Sequence, residues 1–232
     1  FYKEKNELII YQLKPGSRAF FLNGSIKNLK IKFFGKDEKL LNVPNYPIDL
    51  RGLTGCLSLV NLKVEDVSLE AGNSSCEDAV NLINVKGNFD EVIIIDSFMD
   101  ALDIDFSEVE IKNINVKSAS NDCVDLSAGN YNLKKLRLYK CGDKALSVGE
   151  KSILHLEEII VEKAKIGIAS KDSSEVVAKS ANIKLKIPSS KCLNSYRKKQ
   201  EFSGGIINIK QLTCHGSDVL SQNGSFINNS NL

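Results

Sequence analysis

Small residues recur at one interval in this chain: Ala79, Ala101, Cys123, Ala145 and Gly167 each lie 22 positions from the next. The flanking segments match as well, reading EDAVNL, MDALDI, NDCVDL, DKALSV and KIGIAS. An apolar residue follows the small one every time: Val80, Leu102, Val124, Leu146 and Ile168. A fixed period of this length marks a repeat architecture, because one such unit cannot bury its own face and must stack on its neighbours. Residues one period apart are then expected side by side, about 4.8 Å apart. The small residues are expected to form one internal column and the apolar residues the adjacent one.

The remaining sequence suits stacked strands. Runs such as LVNLKVEDVSL (59–69), EIKNINVKS (110–118), NLKKLRLYK (132–140) and GIINIKQL (205–212) alternate with period two and are rich in Val, Ile and Leu. Gly, Asn, Ser and Asp punctuate them. Prolines stand only at 15, 44, 47 and 188, so 48–187 has none, as strands bonded on both edges require. Each coil reads as a short strand, a turn, a longer strand and a turn: 100–107 with 110–116, then 122–129 with 133–138, then 144–152 with 156–160. A one-residue insertion near Ile153 is absorbed before Gly167. About ten coils are expected, giving a rod nearly 50 Å long. Residues 1–47 read as an N-terminal cap with the first coils, and 48–232 as the continuous solenoid with a polar C-terminal end.

Composition narrows the partners. With 31 basic and 29 acidic residues the net charge is +2, which gives no reason to expect nucleic acid. No run of 18 apolar residues exists, so no membrane insertion is expected. The first residue is Phe1 and the only methionine is Met99, so the chain reads as processed or as one domain joined to others. The six cysteines form no zinc motif. Cys56 and Cys76 are 20 apart and Cys192 and Cys214 are 22 apart, separations that stacking brings within disulfide reach. Small apolar filling is the alternative for both pairs, and it is the reading for Cys123, which lies in the ladder. His155 and His215 read as surface residues rather than metal ligands.

Aligning the coils creates polar columns. One holds Asp78, Asp100, Asp122 and Lys144; a second holds Asn81, Asp103, Asp125 and Ser147; a third holds Asp105, Ser127, Gly149 and Lys171. Glu150 and Asp172 stand beside the third. Carboxylates one coil apart repel by roughly 1 kcal/mol in water and about 3 or more at an effective dielectric of 20, so a cation, a lysine or a shared proton must offset them. Hard oxygens in this arrangement suit Ca²⁺ as a cofactor, and paired carboxylates suit glycoside chemistry. Asp and Asn at strand ends also bond turn backbones, the structural alternative. Asp103 and Asp125 alternate outward, whereas Asp100 and Asp122 are expected at a corner. The loop YRKKQEF (196–202) interrupts the repeat, and its Arg197 and aromatics could meet an anionic glycan.

The period, the strand and turn composition and the Asn-rich turns resemble the right-handed parallel β-helix of pectate lyases and polygalacturonases. The all-β fold that this implies covers about residues 48–225. The runs DALDIDFS, NDCVDLSAG, GDKALSVGEKS and GIASKDSS also resemble a bacterial β-helix module of spore-coat-H-like envelope proteins. Against the polygalacturonase pattern, Asn121-Asp122-Cys123 resembles an Asp-Asp-Cys segment, Gly142-Asp143-Lys144 stands in place of Gly-His-Gly, and Lys171 remains of an Arg-x-Lys pair. The resemblance therefore carries catalytic roles onto Asp100, Asp122 and Lys171 alone, and the missing His and Arg argue against ordinary pectin hydrolysis. Asp103, Asp105, Asp125, Lys144, Glu150, Asp172 and Arg197 are the candidate ligand-binding residues. Three functions follow as expectations: a non-catalytic glycan-binding or envelope module, an enzyme acting on a uronic-acid polysaccharide, and a structural spacer. Polysaccharide and other domains are the implied partners, and an extracytoplasmic or envelope location is favoured.

Overall fold

The computed structural model describes residues 1–14, 16–35, 52–185, 188–215 and 218–230. The boundary drawn at 47/48 lies outside these residues. The described strands join into one sheet of 18 in which every inter-strand pairing is parallel. The chain coils into a parallel β-solenoid of about 9 turns, against the ten expected.

The small-residue ladder is observed. Val80 pairs with Leu102, Leu102 with Val124, Val124 with Leu146, and Leu146 with Ile168. Ala79, Ala101, Cys123 and Ala145 are fully buried beside them. Two consecutive residues thus point inward at each coil, which marks a corner at the start of the short strand. The column is small for a steric reason. A Cβ built on Gly167 would lie 2.6 Å from the Cys192 carbonyl oxygen and 2.8 Å from the Ile183 side chain of the opposite wall. Replacing Ala145 by Phe is accordingly expected to overpack the coil and destabilise by about 1–3 kcal/mol; urea unfolding of the variant measures it.

The long strands Glu108–Val116, Asn130–Tyr139, Ile153–Glu162 and Glu175–Lys184 alternate inward and outward, then expose two residues in succession. Lys112-Asn113, Lys134-Lys135, Glu157-Glu158 and Lys179-Ser180 occupy that outer corner. Exposed ion pairs link its rungs, with Lys112 to Asp90 at 2.6 Å and Lys179 to Glu157 at 3.3 Å. Such pairs are worth about 1 kcal/mol or less.

The insertion near Ile153 is a turn residue. Ser127 and Gly149 are in register, whereas Asn130 pairs with Ile153, so one residue enters between them. Glu150 and Lys151 accommodate it with left-handed φ values of 59° and 62°. Residues 1–34 contribute Glu7–Tyr11, Ala19–Lys27 and Lys30–Phe34, and the last two stack in parallel on Gly55–Ser74.

Three disulfides staple the corners: Cys56–Cys76, Cys123–Cys141 and Cys192–Cys214, with Cα separations of 5.3, 5.4 and 6.0 Å. No cysteine is free. The reading of Cys123 as a plain filler is therefore corrected. Cys141 stacks on Ala119, four residues before Cys123 in the neighbouring coil. The corner between those positions folds Cys123 back over Cys141, so a bridge forms at a spacing short of one coil.

Candidate functional site

The three polar columns lie on the short strands. Asp78 pairs with Asp100; Asn81 with Asp103, Asp103 with Asp125 and Asp125 with Ser147; Asp105 with Ser127 and Ser127 with Gly149. Lys171 then pairs with Tyr196. Parallel register therefore brings nearly every residue of the expected acidic face together.

The columns do different work. Asp100 Oδ1 accepts hydrogen bonds from the Asp122 backbone N–H and the Asn121 side-chain amide, both at 2.7 Å. Asp122 Oδ1 in turn accepts from the Lys144 backbone N–H at 2.8 Å, and Lys144 Nζ lies 3.3 Å from Asp122 Oδ2. Each carboxylate thus holds the amide that opens the next coil, where the ladder bond would otherwise be lost. Asp122 is only 2 % exposed, so the expected corner position is also a buried one. Burial raises its carboxyl to about 6 although Lys144 pulls the other way. Burial opposes the charge of Lys144, but Asp122 and Asp143 outweigh it and hold the ammonium above its usual value.

Asp78, at the head of the same column, is 2 % exposed. Burial pushes its carboxyl up to about 8, reinforced by the charge of Asp100. One of its oxygens, Oδ2, has no hydrogen-bond partner. Burial therefore favours the neutral, protonated carboxyl at Asp78.

The second and third columns face outward and are half-buried at Asp103, Asp105 and Asp125. Asp103 Oδ2 accepts from the Asn81 side-chain amide at 3.1 Å. Burial, then the neighbouring carboxylates, hold Asp103 well above the usual range. Burial raises Asp105 in the same direction. Lys171 is 5 % exposed and runs back over Gly149, reaching to 3.7 Å from Asp125 Oδ1 two coils away. A Cβ at Gly149 would sit 2.7 Å from Lys171 Cε, so a side chain there would displace the lysine.

Glu150 and Asp172, expected as ligand contacts, hold the inserted loop. Asp172 Oδ1 accepts from the backbone N–H groups of Lys198 and Lys199 at 2.7 and 2.8 Å. Glu150 pairs with the Lys199 ammonium. Arg197 stands exposed in that loop, and His155 and His215 are exposed as well. Among the described residues, no three His, Cys, Asp or Glu side chains converge in a way that could hold a metal ion.

The exposed apolar residues around the acidic strand escaped the sequence reading, whereas Tyr196 is one of the loop aromatics that it names. Phe98 and Met99 precede the acidic strand Asp100–Asp105 and Phe106 follows it; they are 53 %, 40 % and 63 % exposed. Tyr196 stands at the lysine end, its hydroxyl raised by burial. The signal was present in the string FMDALDIDF, where aromatics bracket a strand whose other apolar residues face inward. The chain matches no protein-family model and no curated protein. No helix among the described residues is long and apolar enough to cross a membrane.

Proposed function

We propose that this chain is a non-catalytic glycan-binding module whose ligand lies along the short-strand face. The observation that carries this reading is the bracketing of half-buried Asp103 and Asp105 by exposed Phe98 and Phe106. Sugars present hydroxyl donors around an apolar ring face, and carboxylates with nearby aromatics match both. The face continues through Asp125 to Lys171 and Tyr196, so an oligosaccharide along the solenoid would touch several coils. The resemblance to the pectate lyase and polygalacturonase β-helix supports carbohydrate as a class, by analogy of fold. Three disulfides and no free thiol support a location outside the reducing cytosol, such as the cell envelope.

A glycan array probed with the chain and with Phe98→Ala tests the proposal. Retention of a discrete set of glycans, weakened in the variant, is the expected result. Retention of none leaves the structural spacer.

One observation favours the enzyme reading. Asp122 titrates at about 6 beside a charged Lys144, a pairing suited to acid–base work. Against it, Asp122 is nearly inaccessible and already bonded to Lys144 at both oxygens. Incubation with polygalacturonate separates the two: released unsaturated or reducing ends would establish catalysis.

A further inference from the structure

We infer that the ligand of this face is an amino sugar, its ammonium group received by Asp103, Asp105 and Asp125 and its ring stacked on Phe106. This rests on the glycan reading and goes one step past it, to the class of sugar.

The argument begins with an imbalance of donors. Asn81 is fully buried and donates through Nδ2 to Asp103, yet its Oδ1 has no partner. Asp125 Oδ1 accepts no hydrogen bond either, its nearest cation being Lys171 Nζ at 3.7 Å. Ser147, fully buried in the same column, has no partner for its hydroxyl. Buried polar atoms without partners are rare in folded proteins and call for an explanation; Asn81 Oδ1 and Asp125 Oδ1 are acceptors, and Ser147 is a hydroxyl that can donate or accept. Here they lie in one column with two carboxylates. Lys144 is engaged by Asp122 and Asp143, and Lys171 Nζ at 3.7 Å from Asp125 Oδ1 is an ion-pair partner beyond hydrogen-bond range, so neither lysine donates to these oxygens. The metal alternative lacks a converging set of ligands among the described residues. A group with several N–H donors and a positive charge meets the need. A uronic acid brings the wrong sign of charge to this cluster.

Phe106 supplies the second, independent observation. Asn23, Asn61, Asn84, Phe106 and Ala128 succeed one another in register at one turn. All five adopt left-handed φ, between 51° and 58°, with Phe106 at 51°. Asparagine tolerates that conformation, and the asparagines form a ladder: Asn84 Nδ2 donates to Asn61 Oδ1 at 2.8 Å, and Asn61 Nδ2 to Asn23 Oδ1 at 3.2 Å. The ladder stops where the acidic strand begins its turn. A bulky aromatic takes the strained position there and is 63 % exposed, so the fold gains little from it. Its position immediately after Asp105 gives it a use as a platform for a sugar ring.

Calorimetric titration tests the inference with four probes: the trimer of glucosamine, the trimer of N-acetylglucosamine, the trimer of galacturonic acid, and spermidine as an amine without a ring. The glucosamine trimer is expected to bind at least about 10-fold more tightly than each of the others, a difference of one decade in Kd. Phe106→Ala should weaken it by about 10-fold. Phe106→Asn should weaken it equally and, by extending the asparagine ladder, raise the melting temperature by about 2–4 °C. Equal or tighter binding of the acetylated or uronic trimer overturns the amino-sugar assignment while leaving the glycan reading intact. Equal binding of spermidine overturns the sugar ring. Unchanged affinity in Phe106→Ala, or a lower melting temperature in Phe106→Asn, overturns the stacking role. If none of the three sugars binds, the inference falls, and the glycan reading is decided separately by the array.

Discussion

Reduction of the three disulfides is expected to remove most of the stability of this protein. Each bridge closes a loop of 18 to 22 residues, Cys56–Cys76, Cys123–Cys141 and Cys192–Cys214. A closed loop of that length is worth about 3 kcal/mol, chiefly by limiting the unfolded chain. Three together approach the roughly 5–15 kcal/mol that holds a typical domain folded. Guanidinium unfolding with and without a thiol reductant measures the effect, and Cys123→Ala with Cys141→Ala isolates the central bridge. A thiol count on the denatured, unreduced protein should find none free. Six free thiols would show that the bridges do not form, and would remove the support for an envelope location.

The second large effect is electrostatic and belongs to Asp78. Its carboxyl is raised by burial to about 8 in the folded protein, from an ordinary 3.8. Between those values the native state holds a proton that the unfolded chain has released. Stability contributed by this proton is complete below about pH 4 and is lost as pH rises toward 8, by up to about 1.4 kcal/mol per unit of pH. Asp78→Asn keeps the shape and removes the ionisation. The variant should match the parent in acid and exceed it by a few kcal/mol, in order of magnitude, at pH 8. Parallel urea titrations across this range check it. An equal pH dependence in the two proteins would show that Asp78 ionises normally.

The fold was legible because the ladder is steric. The column runs close to the opposite wall and the next coil, so close at Gly167 that a Cβ would meet Ile183 and the Cys192 backbone, and small residues occupy it throughout, so the period shows directly in the letters. The polar columns followed from the same register. Their division of labour did not, because it depends on which carboxylate oxygen meets a backbone amide. Asp100 and Asp122 face the amides of the next coil, whereas Asp103 and Asp105, three and five residues along from Asp100, face outward. Glu150 and Asp172 read as part of the face, but the inserted loop returns to them through Lys198 and Lys199, a contact no repeat pattern encodes. The Cys123–Cys141 bridge was hidden for a similar reason: it crosses a corner, and its 18-residue separation matches no whole coil.

Carboxylates that hold the coils together and carboxylates that await a ligand respond in opposite ways to neutralisation. Asp103 and Asp105 are held above their usual range by burial, to which the charges of Asp78, Asp105 and Asp125 add at Asp103 and those of Asp125 and Glu150 add at Asp105. The decisive measurement is the thermal unfolding of Asp103→Asn with Asp105→Asn at pH 8, alongside glycan retention by the same variant. Relief of that repulsion should raise the melting temperature by a few degrees, about 2–4 °C per kcal/mol gained, while glycan retention is lost. A lower melting temperature with retention unchanged would contradict this, and would make Asp103 and Asp105 part of the scaffold.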